Sequence, residues 1–534
     1  MGKEFIAGIN IALFVYAVYI FSLSRKYLHM LQLNSYMNKR FWKWYRQNID
    51  GEIQIAVLAG LLIVSLFVDK PAVFVAGWCL LFLFAVFTRK KTSEKKKFVV
   101  TARVRRLYIT LCVLMILIIA LGNIIALRFS ENYLVLFAYC FIIAMLAGFK
   151  IPFFILANII NLPVEKSINN WYVNDAKRIL DSNKNLIKIG ITGSYGKTSV
   201  KYFLTRILSE KYNVLMTPES YNTLMGVVRT IREHLKPSHQ VFVAEMGARQ
   251  KGDIKQICDV VHPQYSILTA VGPCHLDTFK SIKNVENTKF EIIEALPENG
   301  VGFMNYDNEI IRRRKVKGNI VTYGIDDSSL DCYASDIKIT NKGTSFALNS
   351  KRYGSLALNT KLLGRHNVLN ITAACAVAIE LGVAPESIRY AVSQLASVPH
   401  RMELKPAPPG GITIIDDAFN SNPEGAREAL NVLGNFDSPM RILITPGMIE
   451  LGEKEYECNF ELGKYAAYNC DYAVLVGIKR SVPLKEGLMA SDFNENNIIV
   501  VKNLKEALLK MKQIAIPDSV VLFENDLPDN YEEQ

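Results

Sequence analysis

Several features are missing from this sequence. Its nine cysteines include no C-x-x-C pair, and its 534 residues contain no internal repeat and no low-complexity tract. The lack of a C-x-x-C pair argues against a disulfide framework and against a zinc ribbon. It favours buried free thiols in a reducing compartment. There is also no zinc-like or aromatic-interleaved motif of the kind that binds nucleic acid. We therefore expect no nucleic-acid partner.

Apolar residues are abundant, at 50% of the chain, and they are concentrated before about residue 162. Five apolar stretches are long enough, or nearly so, to cross a hydrocarbon core of roughly 30 Å. No A-x-A-like cleavage site follows the first, so we interpret it as a retained helix. Almost no acidic residue interrupts the stretches, which argues against a transporter. They predict an α-helical membrane domain of about five transmembrane helices in residues 1–162: Phe5–Leu23, Ile53–Val68, Pro71–Phe87, Leu107–Leu127 and Tyr133–Phe149.

The net charge of +12 has a clear location, because Lys and Arg are clustered in residues 24–51 and 89–106. Both clusters adjoin apolar stretches, so anionic membrane lipids are the expected partners. The excess of basic residues predicts that both loops, and everything after the fifth stretch, lie in the cytoplasm. The chain is thus expected to be a multi-pass protein of the plasma membrane with cytoplasmic catalytic domains.

Residues 190–199 read GITGSYGKTS and carry the strongest indication of chemistry. An apolar, β-branched segment precedes them and a helical apolar pattern follows, so we expect strand, glycine turn and helix N-terminus. Such a turn binds phosphate through backbone N–H groups, the helix dipole and a lysine. Ile191 occupies the position of the first glycine of the general P-loop, which favours a particular branch of ATPases. The candidate phosphate-binding residues are Gly193, Ser194, Gly196, Lys197, Thr198 and Ser199.

From residue 163 the pattern is that of alternating strands and helices, typical of parallel α/β sheets. We expect a linker helix at 163–184, one α/β domain at 185–397 and another at 398–534. The proline- and glycine-rich segment Ser397–Gly411 predicts a hinge between them. A short β-like pattern between Lys317 and Leu363 suggests a small accessory sheet.

Three further residues follow or lie near the predicted strands. Glu245 ends the strand VFVAE, where it could bind Mg²⁺ together with the Thr198 hydroxyl. His275 follows the next strand and opens onto the same sheet edge, although a histidine there is often an ordinary loop residue. Lys289 lies on a predicted helix and would ordinarily be a solvated surface lysine.

A series of short sequence motifs decides between the functional and the ordinary interpretations of these residues. GSYGKT, EMGA, HLD, TKFEI, LPENG, GRHNV, HR and DDAFNSNP occur in the order seen in the Mur ligases, which the chain resembles from about Lys188 to Lys479. LPENG and GMIELGE are most similar to the members that add D-alanyl-D-alanine. The resemblance implies a P-loop central domain, a Rossmann-like C-terminal domain, and an ATP-dependent amide-bond ligase of bacterial cell-wall precursor synthesis.

The resemblance also implies residue roles. Thr198 and Glu245 would bind one Mg²⁺ and His275 a second, while Lys289 matches a lysine that is carbamylated into a metal ligand. Catalytic roles would fall to Lys197, His275, Lys289 and Arg401. The ATP-binding set would be the glycine turn with Asn367 at the nucleotide, Arg401 at the phosphates, Asp417 on the ribose side, and Asn420 and Asn422 in a loop that faces nucleotide and amine.

The implied reaction activates an acceptor carboxylate as an acyl phosphate, which an amino acid or dipeptide then attacks. Three departures limit the match. Asn222–Thr223 replaces two consecutive asparagines, His400–Arg401 is more similar to other members of the Mur group, and the usual N-terminal domain that grips a UDP-sugar is missing. The third departure suggests a peptidoglycan-type precursor that is lipid-linked. A membrane-bound ligase similar to polyglutamate synthases, and an inactive scaffold for wall-synthesis proteins, are the alternatives.

Overall fold

The computed structural model describes residues 2–47, 97–128, 151–219, 221–340, 343–405, 407–408, 410–419 and 421–525. The chain divides into two compact units, Met1–Asn170 with Pro528–Tyr531, and Trp171–Leu527 with Glu532–Gln534. Each unit has its own core, and each is described by itself.

The described part of the first unit is helical. Its core is aromatic: the ring of Tyr27 lies 5.1 Å from that of Phe154, and Phe41 stacks on Trp44 at 5.9 Å. All four side chains are buried, so helices of different sequence character share one apolar cluster. The helices are α1 (Gly2–Leu33), α2 (Asn38–Gln47), α3 (Ala102–Arg128) and α4 (Ile151–Ser182), the last of which begins in this unit.

The prediction of about five transmembrane helices is wrong. Within the described residues one helical segment, Ala102–Ile125, is long and apolar enough to cross a membrane, and a single such helix is weak evidence. The stretch Phe5–Leu23 belongs to α1, which continues through Arg25 and Lys26 and buries Tyr27 in the helical cluster. Hydrophobic length does not distinguish a membrane span from a helix that packs on other helices, which is why the pattern misled. The same finding of a single candidate span also corrects the expectation of a multi-pass membrane protein with cytoplasmic catalytic domains. Three predicted stretches lie outside the described residues: Ile53–Val68, Pro71–Phe87 and Tyr133–Phe149.

The second unit contains a nine-stranded sheet in the order β2-β3-β1-β4-β5-β6-β7-β8-β9. Neighbouring strands pair in parallel from β2 to β7, and β8 and β9 continue the sheet antiparallel. The accessory sheet expected between Lys317 and Leu363 is therefore not separate, because β6 pairs with β5. The strands are β1 (Ile187–Thr192), β2 (Val214–Met216), β3 (Val241–Glu245), β4 (Tyr265–Leu268), β5 (Val301–Asn305), β6 (Asn319–Ile325), β7 (Cys332–Thr340), β8 (Gly343–Ser350) and β9 (Gly354–Thr360).

Helices cover both faces of this sheet, as its parallel strands require. Val200 and Phe203 of the helix after β1 pack on one face with the alanine-rich helix that follows β9, while Phe290 and Ile254 belong to the cluster on the other face. The helices are α5 (Lys197–Leu208), α6 (Leu224–His234), α7 (Asp253–Val261), α8 (Leu276–Phe279), α9 (Ile282–Glu294), α10 (Glu309–Arg313), α11 (Arg365–Glu380) and α12 (Pro385–Ser393).

A six-stranded sheet follows, in the order β10-β11-β15-β12-β13-β14. Only β10 runs antiparallel, so the carboxyl ends of the other five strands meet at one edge. The strands expected before the glycine turn and at VFVAE are β1 and β3, and the region expected to be β-like between Lys317 and Leu363 contains β6 to β9. The elements are β10 (Glu403–Lys405), β11 (Thr413–Asp417), α13 (Pro423–Gly434), β12 (Arg441–Thr445), α14 (Glu455–Ala466), β13 (Tyr472–Val476), α15 (Val482–Met489), β14 (Ile498–Val501), α16 (Leu504–Ile514) and β15 (Val520–Glu524).

Candidate active site

The turn between β1 and α5 is tightly built. Gly196 has a φ of +78°, and a Cβ there would lie 2.6 Å from Oδ1 of Asn370. A Cβ at Gly193 would lie 2.1 Å from the Thr269 hydroxyl. Only glycine fits at either position. The Ser194 N–H donates to the Ala270 carbonyl at 2.7 Å, which ties the turn to the end of β4.

Lys197 folds back over this turn. Its ammonium donates to the carbonyl of Gly193 at 2.7 Å and to that of Ser194 at 3.1 Å. Burial, together with the positive charge of the nearby Lys289, lowers the pKa of Lys197 to about 8. The turn thus holds a cation at a helix N-terminus, where an anionic phosphate is stabilised.

Glu245 is the carboxylate at the centre of the site. It ends β3, pairs in register with Ile191 of β1, and is 1% exposed. Its Oε1 accepts from the Thr198 hydroxyl and from the Asn222 amide, each at 3.1 Å. The buried Lys201 ammonium lies 3.1 Å from Oε2. Burial acts to raise the pKa of Glu245, but Lys201 and Lys197 outweigh it and leave that pKa lowered, so the carboxylate is ionised.

Arg401 comes from the chain segment between the two sheets. Its guanidinium stacks over Phe419 at 4.6 Å from the ring centroid. Burial lowers the pKa of Arg401, whereas the negative charges of Glu245 and Asp417 act to raise it. These electrostatic partners lie in different sheets, so Arg401 faces acidic groups of both.

His275 and Lys289 lie on the β4 side of the turn. His275 precedes α8 with a φ of +47°, and its Nδ1 is hydrogen-bonded to a carboxylate oxygen of Glu450 in the loop after β12. Lys289 is 2% exposed on α9, and burial lowers its pKa. Its ammonium has no ion-pair partner among the residues that the structure describes. A lowered pKa increases the share of the neutral amine, which is the form that reacts with CO₂.

Three other predicted residues lie within helices or at a helix start. Asn367 is buried and donates to the Leu363 carbonyl at 2.8 Å. Asn422 is the N-cap of α13, where its Oδ1 accepts from the Gly425 N–H at 2.9 Å. Ser199 is half-buried in the first turn of α5.

Asp417 ends β11 and accepts from the Met402 N–H at 3.2 Å. Burial raises its pKa. The last of the predicted residues, Asn420, lies outside the described residues.

Sequence reasoning missed Lys201, Glu450 and Glu524. Lys201 follows Lys197 by four residues, so helical periodicity could have placed both ammonium groups on one face of α5. Glu450 lies within the string GMIELGE, but nothing local indicates that it contacts His275. Glu524 ends the strand VVLFE just as Glu245 ends VFVAE.

The donor set fits Mg²⁺. A buried, ionised carboxylate stands 3.1 Å from a threonine hydroxyl beside the phosphate-binding turn, and hard oxygen ligands are those that Mg²⁺ prefers. The imidazole of His275 offers a further ligand from the neighbouring strand end. Mg²⁺ prefers oxygen ligands, and the Lys289 side chain offers oxygen atoms only after conversion to a carbamate.

Comparison with known proteins identifies two domains of one family in this chain. The Mur ligase middle domain matches residues 191–378, and the Mur ligase, glutamate ligase domain matches residues 400–524. The UDP-N-acetylmuramoyl-tripeptide–D-alanyl-D-alanine ligase of Escherichia coli (strain K12) is 30% identical over 336 residues, which cover 61% of this chain and 72% of that protein. The enzyme of the same name from Bacillus subtilis (strain 168) is 27% identical over 339 residues, or 63% and 72% of the two chains.

Solved structures give the same result. MurF from Acinetobacter baumannii superposes with a TM-score of 0.61 and 26% identity, covering 68% of this chain and 78% of that one. The MurF ligase from Thermotoga maritima in complex with ADP gives a TM-score of 0.59 and 25% identity, covering 67% and 80%.

The fold and the site define an ATP-dependent, ADP-forming ligase that uses Mg²⁺. The chain belongs to the Mur ligase family, as the ordered strings indicate, and it is MurF-like within that family. Residues 1–190 lie outside both matched ranges.

Proposed function

We propose that this ligase joins D-alanyl-D-alanine to the free carboxylate of a peptidoglycan-type precursor. The observation that carries the proposal is the group of Lys197, Thr198 and Glu245 at the turn after β1, in a chain that is 30% identical to a UDP-N-acetylmuramoyl-tripeptide–D-alanyl-D-alanine ligase. We assign 163–184 to a linker, 185–397 to the ATP-binding domain and 398–534 to the domain that receives the amine.

We assign the candidate residues to phosphate, metal or nucleotide binding according to the chemistry of their side chains. The turn from Gly193 to Ser199 and the ammonium of Lys197 would hold the ATP phosphates, and Arg401 would approach the same phosphates from the second domain. Thr198, Glu245, His275 and carbamylated Lys289 would hold Mg²⁺, which would neutralise negative charge at the phosphates. Asn367, Asp417, Asn420 and Asn422 are assigned to the nucleotide side.

The reaction then follows from these charges. The γ-phosphoryl group passes from ATP to the acceptor carboxylate, which gives ADP and an acyl phosphate. The neutral amine of the dipeptide attacks the acyl carbon and the C–N bond forms. Inorganic phosphate leaves with the bonding electron pair of the C–O bond, and the nitrogen releases one proton, which the departing phosphate accepts. Lys197 and Arg401 counter the negative charge that accumulates as carboxylate and phosphate approach each other.

The test is a product assay. Purified protein with ATP and Mg²⁺ is given UDP-N-acetylmuramoyl-tripeptide and D-alanyl-D-alanine, and the pentapeptide product is measured by mass spectrometry. We expect product with one ADP for each amide bond, and loss of both with Lys197→Ala. ATP hydrolysis that does not depend on the precursor, or that is equal in Lys197→Ala, would contradict the proposal and favour the scaffold. Product from L-glutamate instead would favour a polyglutamate-synthase-like reaction.

We propose further that the acceptor is lipid-linked. Helix α3 of the first unit exposes a series of large apolar side chains, among them Ile109 at 62% and Ile116 at 64%. Helix α2 combines exposed Trp42 with basic residues, and the Arg46 guanidinium lies 6.0 Å from the Trp42 ring centroid. Such a combination is suited to contact with lipid chains and anionic headgroups.

The two carriers can be compared directly. The same tripeptide is presented on UDP or on a polyprenyl diphosphate in vesicles, and kcat/KM is measured for each. We expect the lipid-linked acceptor to be preferred at least tenfold. Equal or greater kcat/KM for the UDP-linked acceptor would contradict the lipid-linked proposal and leave the ligase activity in place.

A further inference from the structure

The loop after β12 extends from the six-stranded sheet to the strand end that carries His275. The Glu450 carboxylate contacts Nδ1 of His275, and the backbone N–H of Asp277 points to the Glu450 carbonyl at 3.5 Å. A Cβ added at Gly452 would lie 3.6 Å from the Asp277 nitrogen, so the loop lies against the backbone there. This contact joins the two sheets at the candidate metal site.

The loop is held on its own side as well. Leu451 is 2% exposed and belongs to the core of the six-stranded sheet. Glu450 has a φ of +63°, a conformation that costs a residue with a Cβ about 1 kcal/mol or more and persists only where its surroundings enforce it. The position of the carboxylate is therefore set by the packing of the second domain.

His275 needs such a partner. Its backbone is fixed, because its carbonyl accepts from the Thr278 hydroxyl and from the Phe279 N–H, both at 3.0 Å. Its ring has two nitrogens, and the one that carries hydrogen is decided by the hydrogen bond it makes. Donation from Nδ1–H to Glu450 leaves the lone pair of Nε2 available for a metal. Histidine ligands in metal sites commonly have a carboxylate in this position.

We propose that Glu450 is a positioning residue that sets the tautomer and orientation of His275, so that the second metal position is complete only when the two domains are packed together. The inference rests on the proposed metal roles. It explains how domain closure and activation of the carboxylate are coupled: the acyl phosphate forms where the amine-receiving domain is already in place.

The experiment compares wild type with Glu450→Ala, Glu450→Gln and the matched control Glu453→Gln, a glutamate on the same loop that is exposed. Mn²⁺ binding is measured by electron paramagnetic resonance in the presence of a non-hydrolysable ATP analogue. We expect two Mn²⁺ per chain in wild type and in Glu453→Gln. In Glu450→Ala the weaker site should lose affinity 10- to 100-fold while the tighter one is retained. Glu450→Gln should recover part of the loss, because its amide oxygen still accepts from Nδ1–H.

Wild-type affinity at both sites in Glu450→Ala would overturn the inference and leave the ligase proposal intact. Loss of both sites in that variant would indicate a general structural role and would also overturn it. A wild-type protein that binds a single Mn²⁺ would overturn the proposed metal roles and this inference together.

Discussion

Two glutamates occupy equivalent places in the two sheets and have opposite electrostatic surroundings. Glu245 ends β3 of the nine-stranded sheet, Glu524 ends β15 of the six-stranded sheet, and each is 1% exposed. Glu245 pairs with the Lys201 ammonium, and its pKa is lowered. Glu524 accepts hydrogen bonds from the hydroxyls of Ser421 and Thr445, and burial raises its pKa to about 7.

The pKa values of the two glutamates shift in opposite directions because their neighbouring residues differ, not because their positions in the sheets differ. Among the described residues no cation pairs with Glu524, and the negative charge of Asp417 contributes to its raised pKa. Around Glu245 lie Lys197, Lys201 and Arg401. A carboxylate kept ionised beside a phosphate-binding turn is suited to metal and phosphate chemistry, whereas a carboxyl with only hydroxyl partners is suited to holding strand ends together.

The largest expected effect comes from breaking the ion pair between Glu245 and Lys201. Glu245→Gln removes the negative charge and leaves Lys201 buried without its counter-ion. We expect the rate of ADP release in the complete reaction to fall by a factor on the order of 10²–10³. We also expect a loss of about 3–5 kcal/mol in the free energy of unfolding, measured by urea denaturation.

The double variant Glu245→Gln/Lys201→Met separates the two losses. Because it removes the stranded ammonium as well, we expect it to recover most of the stability of wild type and none of the activity. Recovery of activity with stability would mean that Glu245 acts only as the partner of Lys201.

The second-largest expected effect is a pH-dependent change in stability that depends on the raised pKa of Glu524. Native Glu524 holds its proton up to about pH 7, whereas the unfolded chain releases it near the ordinary value of 4.5. Between these values the native state binds more protons, so this group makes stability fall as pH rises through the window. Glutamine cannot ionise. Glu524→Gln should therefore gain on the order of 3 kcal/mol over wild type at pH 8 and nothing at pH 4, measured by native-state hydrogen exchange of β15 with intrinsic rates corrected. A gain of equal size at both pH values would contradict the raised pKa.

The smallest effect concerns a single hydroxyl. Ser421→Ala removes one of the two donors to Glu524. We expect a loss of about 1 kcal/mol at pH 5, where the carboxyl is neutral, and of about 2 kcal/mol at pH 8, where it is ionised. The same hydrogen-exchange measurement checks both values, and a loss that does not grow with pH would mean that Glu524 stays neutral.

Local patterns were enough for the glycine turn between β1 and α5, for the position of Glu245 at a strand end and for strands such as β1 and β3. Each of these is encoded within about ten consecutive residues, by glycines, β-branched runs and helical spacing. The contacts of Glu450 with His275 and of Ser421 with Glu524 join residues 175 and 103 positions apart, and no local pattern encodes such pairs. Length and hydrophobicity also could not distinguish membrane spans from the packed helices of the first unit.

The central claim is that the cation-paired Glu245, and not the equally buried Glu524, serves the ATP chemistry. It is tested most directly by the initial rate of ADP release at saturating ATP, precursor and D-alanyl-D-alanine in wild type, Glu245→Gln/Lys201→Met and Glu524→Gln, side by side at pH 7.5. We predict a loss of at least about 100-fold in the double variant and a rate within about threefold of wild type in Glu524→Gln. Equal losses in both variants, or an active double variant, would contradict the account.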